Sequence, residues 1–241
     1  MNKYVLGVII VIVLYVVYSY FFKDHTSASL VGMHNAKQQL RIEASTIPGN
    51  SSSIDFTFSI WLYINDWNYR YGNDKLVLVR GPKALTGPRS PVMKLDPNTN
   101  DIHITVLCYP KTGSNSQPGT PTPCKISNVP IQKWTHILFT TNNKTLDTYL
   151  DGKLVRTCVL SGVPKMDKKA PLFLTPGREG EKGFSGYTSK LRYYSRTLNP
   201  REVYDVYKEG YSDNPLGQLL GKYKMKVAFM KGSEELNAFE I

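Results

Sequence analysis

Acidic residues are scarce in this 241-residue chain: 19 Asp and Glu stand against 30 Lys and Arg, a formal charge of +11. The few carboxylates are also poorly placed for catalysis. Retaining hydrolysis of a glycoside needs two carboxyl groups roughly 5 Å apart, which two acids alternating along one strand face would supply. No such strand is present, because Glu179 and Glu181 lie in a Gly-rich stretch and Asp147 and Asp151 straddle a turn. An enzyme of that kind is not expected, and no catalytic residue is assigned. Histidine is equally thin. His25, His34, His103 and His136 show no i, i+2 or i, i+4 pairing, so no metal site is read from them, and His136 on a strand is expected to be packed. There is no Arg or Lys run and no basic helix, which removes the usual footprint of a nucleic-acid binder. Three cysteines, Cys108, Cys124 and Cys158, allow one disulfide at most. Cys108 with Cys124 would close a short Pro-, Gly-, Ser- and Thr-rich loop, Cys124 with Cys158 would bracket a group of strands, and three reduced thiols suit a reducing compartment.

What the chain does have is one long apolar run. Tyr4 to Phe22 contains no charge, and Val8, Ile12 and Tyr15 lie within it. As a helix it would rise roughly 28 Å, the depth of a bilayer's hydrocarbon core. Lys3 and Lys23 flank it, and Tyr4, Tyr18 and Tyr20 suit the membrane interface. A secretory signal core is usually only about 7 to 15 residues long, so a retained single-pass anchor over residues 1–23 is expected in spite of the small Ser27-Ala28-Ser29 triplet. The first 30 residues carry only Lys3, Lys23 and Asp24, so nearly all of the surplus charge belongs to residues 31–241. That surplus suits acidic proteins, anionic lipid heads or acidic glycans.

Residues 24–49 read as a polar tether with a lead-in strand. From Ile54 to Ile64 the even positions Ile54, Phe56, Phe58, Ile60, Leu62 and Ile64 make one apolar face, the period-two mark of a strand. Further strands are expected at Lys75–Arg80, Val92–Leu95, Asp101–Cys108, Lys125–Asn128, Trp134–Thr140, Thr145–Leu150, Lys153–Leu160, Ala170–Leu174 and Tyr187–Tyr194. Asp151-Gly152 is a hairpin turn signal. One helix is marked by Asn199 as N-cap, Pro200 at the first helical position, Glu202 at N3 and Gly210 as a stop, with Val203, Val206 and Tyr207 on one side. Many short strands with one late helix specify an all-β, two-sheet antiparallel jelly-roll sandwich over residues 50–212. Residues 213–241 extend beyond it as an arm or hairpin.

Three stretches resemble the laminin-G-like, concanavalin A-type jelly roll: Phe58 to Ile64; Trp134 to Phe139 followed by Leu146 to Leu154; and Gly183 to Tyr204. The ending, Lys222 to Met230 and Ala238 to Ile241, is similar to a narrower group of membrane-anchored virion proteins of large DNA viruses of algae and protists. The resemblance implies a two-sheet sandwich, and the narrower group pairs Cys124 with Cys158. Laminin-G-like domains often hold calcium at a loop rim, for which Asp66, Asp74 or Asp101 are the candidates, although no dense acidic loop is present and solvated turn aspartates are favoured. No other cofactor is implied.

Two contact regions stand out. Trp67, Tyr69 and Tyr71 mix aromatic rings with Asn and Arg after the first core strand, a candidate glycan or protein contact unless they fold over the sandwich edge. Tyr223, Met225, Val227 and Phe229 alternate with Lys222, Lys224 and Lys226, giving an amphipathic arm able to add to a neighbour's sheet. The expected role is that of a non-enzymatic minor capsid protein in the virion. It would join the lipid bilayer to capsid or other virion proteins, with membrane-anchored, lectin-like glycan attachment as the alternative.

Overall fold

The computed structural model describes residues 7–15, which form helix α1, and residues 26–49, 54–109, 121–178, 180–212, 226–231 and 234–240. Two antiparallel sheets make the sandwich. The seven-stranded sheet runs β1 (Ser27–Val31), β15 (Ser185–Tyr194), β4 (Thr57–Asp66), β9 (Trp134–Asn142), β10 (Thr145–Leu150) and β11 (Lys153–Val159), with β2 (His34–Asn35) also pairing β15. The six-stranded sheet runs β3 (Leu40–Ile42), β12 (Leu172–Leu174), β5 (Lys75–Arg80), β6 (Val92–Leu95), β7 (Ile102–Leu107) and β8 (Pro121–Ile126). Short hairpins join β13 (Gly177–Arg178) to β14 (Glu181–Lys182) and β16 (Lys226–Lys231) to β17 (Glu234–Glu240).

The core follows from period-two alternation. Phe56, Phe58, Ile60, Leu62 and Ile64 are fully buried in one cluster with Leu78, Met93 and Ile104 of the other sheet. Burying each such side chain contributes roughly 1.5–3 kcal/mol. Phe58 stacks on Phe139 at 5.4 Å and meets Tyr193 at 4.9 Å, tying β4 to both of its neighbours. The opposite face of β4 is covered as well. Helix α2 (Pro200–Lys208) lies over it, started by a capping box in which the Asn199 side chain accepts from the Arg201 and Glu202 backbone and Glu202 accepts from Asn199 N–H. Val203 is buried beneath it with Leu138 and Tyr149, which explains why Trp61 and Tyr63 make β4 apolar on both sides.

Three expectations change. The segment read as tether carries β1 and β2, which pair with β15 from Ser27↔Tyr194 to Thr188↔His34 and so complete the seven-stranded sheet. The strand expected from Lys125 begins at Pro121 instead. Pro121 and Pro123 are tolerated because β8 is the sheet edge, where a missing N–H costs no ladder bond. Of the expected membrane helix, α1 is helical and exposed, with Val8, Ile12 and Tyr15 in it, while Tyr4 and Phe22 lie outside the described residues. Among the described residues no helix is long and apolar enough to cross a membrane.

Candidate functional site

The outer faces of the two sheets differ. On the seven-stranded sheet the face is covered over β4 and β9, while a hollow of about 590 Å³ remains beside β10 and β11, lined by Tyr149, Leu154, Leu198 and Pro200. Tyr207 of α2 stacks on Trp61, Tyr211 stacks on Trp134 at 4.7 Å, and the Ser189 hydroxyl donates to the Tyr211 carbonyl at 2.6 Å. His136 is fully buried beneath this layer, its Nε2 hydrogen-bonded to Ser59 Oγ at 2.8 Å and its ring 5.1 Å from Trp61. Burial, helped by the charge of Arg192, pushes its pKa down to about 3, so the imidazole is neutral. A serine and a histidine in contact invite comparison with a nucleophile and its base. Here His136 Nδ1 has no partner, and Asp151 is used by the His136 backbone N–H at 2.9 Å, so nothing orients the ring for proton transfer.

The six-stranded sheet is open. Val77, Leu78, Met93, Ile104 and Val106 point into the core, so their strand neighbours Leu76, Val92, Lys94, Thr105 and Leu107 face outward. They floor a groove of about 910 Å³. Its rim is made by the loops at Arg70–Asp74 and Leu85–Arg89 and by Pro176–Arg178 with Glu181. The β13–β14 hairpin closes tightly because Gly177 has no side chain: a Cβ there would lie 2.2 Å from the Glu181 carbonyl oxygen. The rim is basic. Arg70 Nη1 donates to the Gly183 carbonyl at 3.2 Å, Arg89 Nη1 donates to the Ala84 carbonyl at 3.0 Å, and Lys94 pairs with Asp74 at 2.8 Å. A second hollow of about 460 Å³, lined by Lys165, Lys168 and Lys169, shares Pro88 and Leu107 with the first.

The residues singled out from sequence are dispersed. Trp67 packs against the core with Lys75 Nζ 5.3 Å over its ring. Tyr69 donates its hydroxyl to the Lys182 carbonyl at 3.1 Å, and Tyr71 alone of the three is exposed. Cys124 on β8 and Cys158 on β11 form a disulfide between the edge strands of opposite sheets, and Cys108 is a buried free thiol. Asp66, Asp74 and Asp101 do not converge on a cation. Asp66 caps the Asn68 N–H, Asp74 is matched by Lys94, and Asp101 accepts from Asn128 N–H and pairs with Lys125 at 2.7 Å. Among the described residues no cluster of three or more His, Cys, Asp or Glu could hold a metal, so the calcium of related domains does not fit these side chains. Asp147 accepts from Thr157 at 2.6 Å, away from Asp151, and Glu179 lies outside the described residues. Of the arm, Tyr223 and Met225 also lie outside them, while Val227 and Phe229 fall in β16, opposite Phe239 and Asn237. Sequence reasoning does not find the groove. Of its rim residues, Asp74 and Glu181 are read from sequence only as carboxylates for calcium and catalysis, and Arg70 sits between Tyr69 and Tyr71.

Residues 35–204, from β2 into α2, match the family model described as the concanavalin A-like lectin/glucanases superfamily. The chain belongs to this superfamily. The chain is 24% identical over 159 residues to the adhesion G-protein coupled receptor V1 of Danio rerio, covering 64% of this chain and 2% of that receptor. Among solved structures, the binding domain of botulinum neurotoxin serotype G aligns over 78% of this chain and 51% of its own, at 12% identity and a TM-score of 0.51. The binding domain of botulinum neurotoxin DC, solved in complex with rat synaptotagmin II, aligns over 66% of this chain and 37% of its own, at 14% identity and a TM-score of 0.49. This chain therefore spans a small fraction of the receptor and about half or less of the toxin domains. The serotype G structure speaks to the fold alone.

Proposed function

We propose that this concanavalin A-like protein is a non-enzymatic binding module that engages its partner through the outer face of the six-stranded sheet. The observation that carries the reading is the asymmetry of the two faces: the centre of one is covered by α2 and its aromatic stack, and the other is an open, basic-rimmed groove. The apolar run Tyr4 to Phe22 supports display from a membrane. The resemblance of the C-terminal residues to virion proteins supports a finer role, tethering a viral membrane to its protein shell.

Blocking the groove tests the reading. The full chain in detergent micelles is presented to a glycan array and to purified shell protein, alongside Thr105→Trp, which fills the groove floor. Binding by the wild type that Thr105→Trp abolishes is the expected result. Undiminished binding by the variant, or turnover of any arrayed glycan, would overturn it.

A second reading rests on the C-terminal hairpin. Among the described residues, strands β16 and β17 pair with each other and with neither large sheet, as an arm reaching a neighbour would. Shell association that survives deletion of residues 222–241 would count against the arm.

A further inference from the structure

Resting on the reading of Tyr4 to Phe22 as a bilayer anchor, we infer that the end of the sandwich where β1 begins is seated on the anionic headgroups of that same membrane. Chain length sets the distance. Only Lys23, Asp24 and His25 separate Phe22 from Thr26 in the sequence. Four residue steps reach at most about 14 Å when fully extended, and the headgroup layer alone takes up roughly 5–8 Å of that. Thr26 is fixed to the fold: its carbonyl accepts from the Ser195 N–H at 2.8 Å, and Ser27 pairs with Tyr194. The anchor therefore holds one particular end of the sandwich within roughly a Debye length of the lipid surface, about 8 Å at physiological salt.

That end gathers residues from both sheets. Ile54 leads into β4, and Asp55 beside it accepts from the Asn143 N–H of the β9–β10 turn at 2.8 Å. Lys144 closes the turn, and its carbonyl accepts from the Leu160 N–H just after Val159. From the six-stranded sheet, Arg80 at the end of β5 lies 5.7 Å over the ring of Tyr193, the neighbour of Tyr194. Arg80 Nη2 donates to the Lys168 carbonyl at 2.9 Å, which brings Lys165, Lys168, Lys169 and their hollow of about 460 Å³ to the same end.

Charge divides along the strands. At the far end three lysines are matched by acids, Lys94 by Asp74, Lys125 by Asp101 and Lys133 by Asp151. At the anchor end Lys144, Lys165 and Lys169 are exposed and have no ion-pair partner among the described residues. Behind them Arg80 is buried with its Nε unpartnered. Ile54, Tyr109 and Val159 are exposed among these cations, and Lys165 Nζ lies 5.5 Å over the Tyr109 ring. Cations interleaved with exposed aromatic and aliphatic side chains suit the membrane interface, where the apolar group enters the headgroup layer and the ammonium meets phosphate. Each lysine close to an anionic leaflet favours the seated state about fivefold. An acidic protein could also meet the charge, but the bilayer is the surface that the anchor already holds within reach.

The test uses the full chain reconstituted into vesicles of phosphatidylcholine alone or of equimolar phosphatidylcholine and phosphatidylserine, with an energy-transfer acceptor on a lipid headgroup. A donor dye is placed on Asn142→Cys at the anchor end or, in a separate sample, on Tyr71→Cys at the far end. Strand β4, 10 residues long, separates the two ends by about 33 Å. Cys108 is buried and stays unlabelled. The expected result is transfer from position 142 several times that from position 71 in the phosphatidylserine vesicles. The contrast should shrink in high salt, in phosphatidylcholine alone, and when Lys144→Glu, Lys165→Glu and Lys169→Glu are combined. Chain stripped from the vesicles by alkaline carbonate would overturn the anchor reading itself. Chain that resists stripping but gives equal transfer from the two positions, or a contrast indifferent to lipid charge and to the lysine changes, would overturn the seating and leave the anchor standing. Lysine changes that leave transfer unaltered yet abolish capture of purified shell protein would assign this end to an acidic protein instead.

Discussion

Tyr207 stacks on Trp61 with ring centroids 5.6 Å apart and planes 21° from parallel, fastening helix α2 to the outer face of the seven-stranded sheet. The same Tyr207 ring lies against the β10–β11 turn. A Cβ on Gly152 would come within 3.0–3.1 Å of it, and Gly152 has a φ of +75°. The helix, the turn and β4 are thus one packing unit. Trp61→Ala should cost about 3–5 kcal/mol, because the cavity is walled by His136 and Tyr207 and cannot collapse freely. Gly152→Ala should also destabilise through strain and the close ring contact, while Tyr71→Ala at the exposed loop should be nearly neutral. Urea midpoints at constant m-value check the three variants.

The disulfide should matter as much as any core residue. Cys124 and Cys158 are 34 residues apart and staple the two open edges of the sandwich. In the chain-entropy account, closing a loop of that length stabilises by about 4 kcal/mol. Reduction under mild denaturant, or the pair Cys124→Ala with Cys158→Ala, should lower the unfolding midpoint accordingly. Cys108→Ala, which removes a buried free thiol, should cost much less.

Strands buried on one face announced themselves in the sequence; strands defined by backbone pairing did not. Phe56 to Ile64 alternates because one face meets the opposite sheet, and its even residues are the ones found in the core. The helix start at Asn199 was equally legible, since capping chemistry is local. By contrast β1 is an edge strand that opens on small residues, half-buried Ser27 and Ala28 and exposed Ser29, and nothing in its composition signals the pairing with Tyr194 to Arg192. In β8 the prolines argue against a strand until the edge position is known. The groove was illegible for a different reason. Arg70, Arg89 and Arg178 come from three separate segments of the chain, and only the fold brings them around one groove.

The pairing of β1 makes a further prediction. A fragment starting at residue 40 lacks β1 and β2 and bares the backbone of β15 from Tyr187 to Tyr194. It also loses Ala36, a fully buried core residue, and the core contacts of Leu30 and Val31. With net backbone hydrogen bonds worth about 1 kcal/mol each, the loss should exceed about 3 kcal/mol, and the newly open edge should promote association. A fragment starting at Thr26 should keep full stability. Sedimentation and thermal unfolding of the two fragments decide this, and equal stability would show that β1 is dispensable.

His136 gives the fold an acid sensitivity with a definite sign. Its pKa falls from the ordinary 6.5 to about 3 in the folded state because burial disfavours the imidazolium. The unfolded chain therefore takes up a proton as pH drops through 6.5, and the folded chain does not until near 3. Stability is fully present above the unfolded value and declines as pH falls, at a slope approaching about 1.4 kcal/mol per pH unit. Asp96 and Asp101, held below the usual carboxylate range chiefly by the Asn98 backbone N–H and by Lys125 respectively, act in the same direction. Their effect enters only as pH falls through the unfolded carboxylate value of 3.8, so the interval from pH 6 to 4.5 isolates the histidine. Chemical unfolding across that interval should show the slope in the wild type and a flattened profile in His136→Gln, which keeps a polar group for Ser59 without a titrating ring. A wild-type profile that is flat between pH 6 and 4.5 would mean that His136 is protonated in the folded state, and the sealed layer formed by Trp61 and Tyr207 would have to admit water.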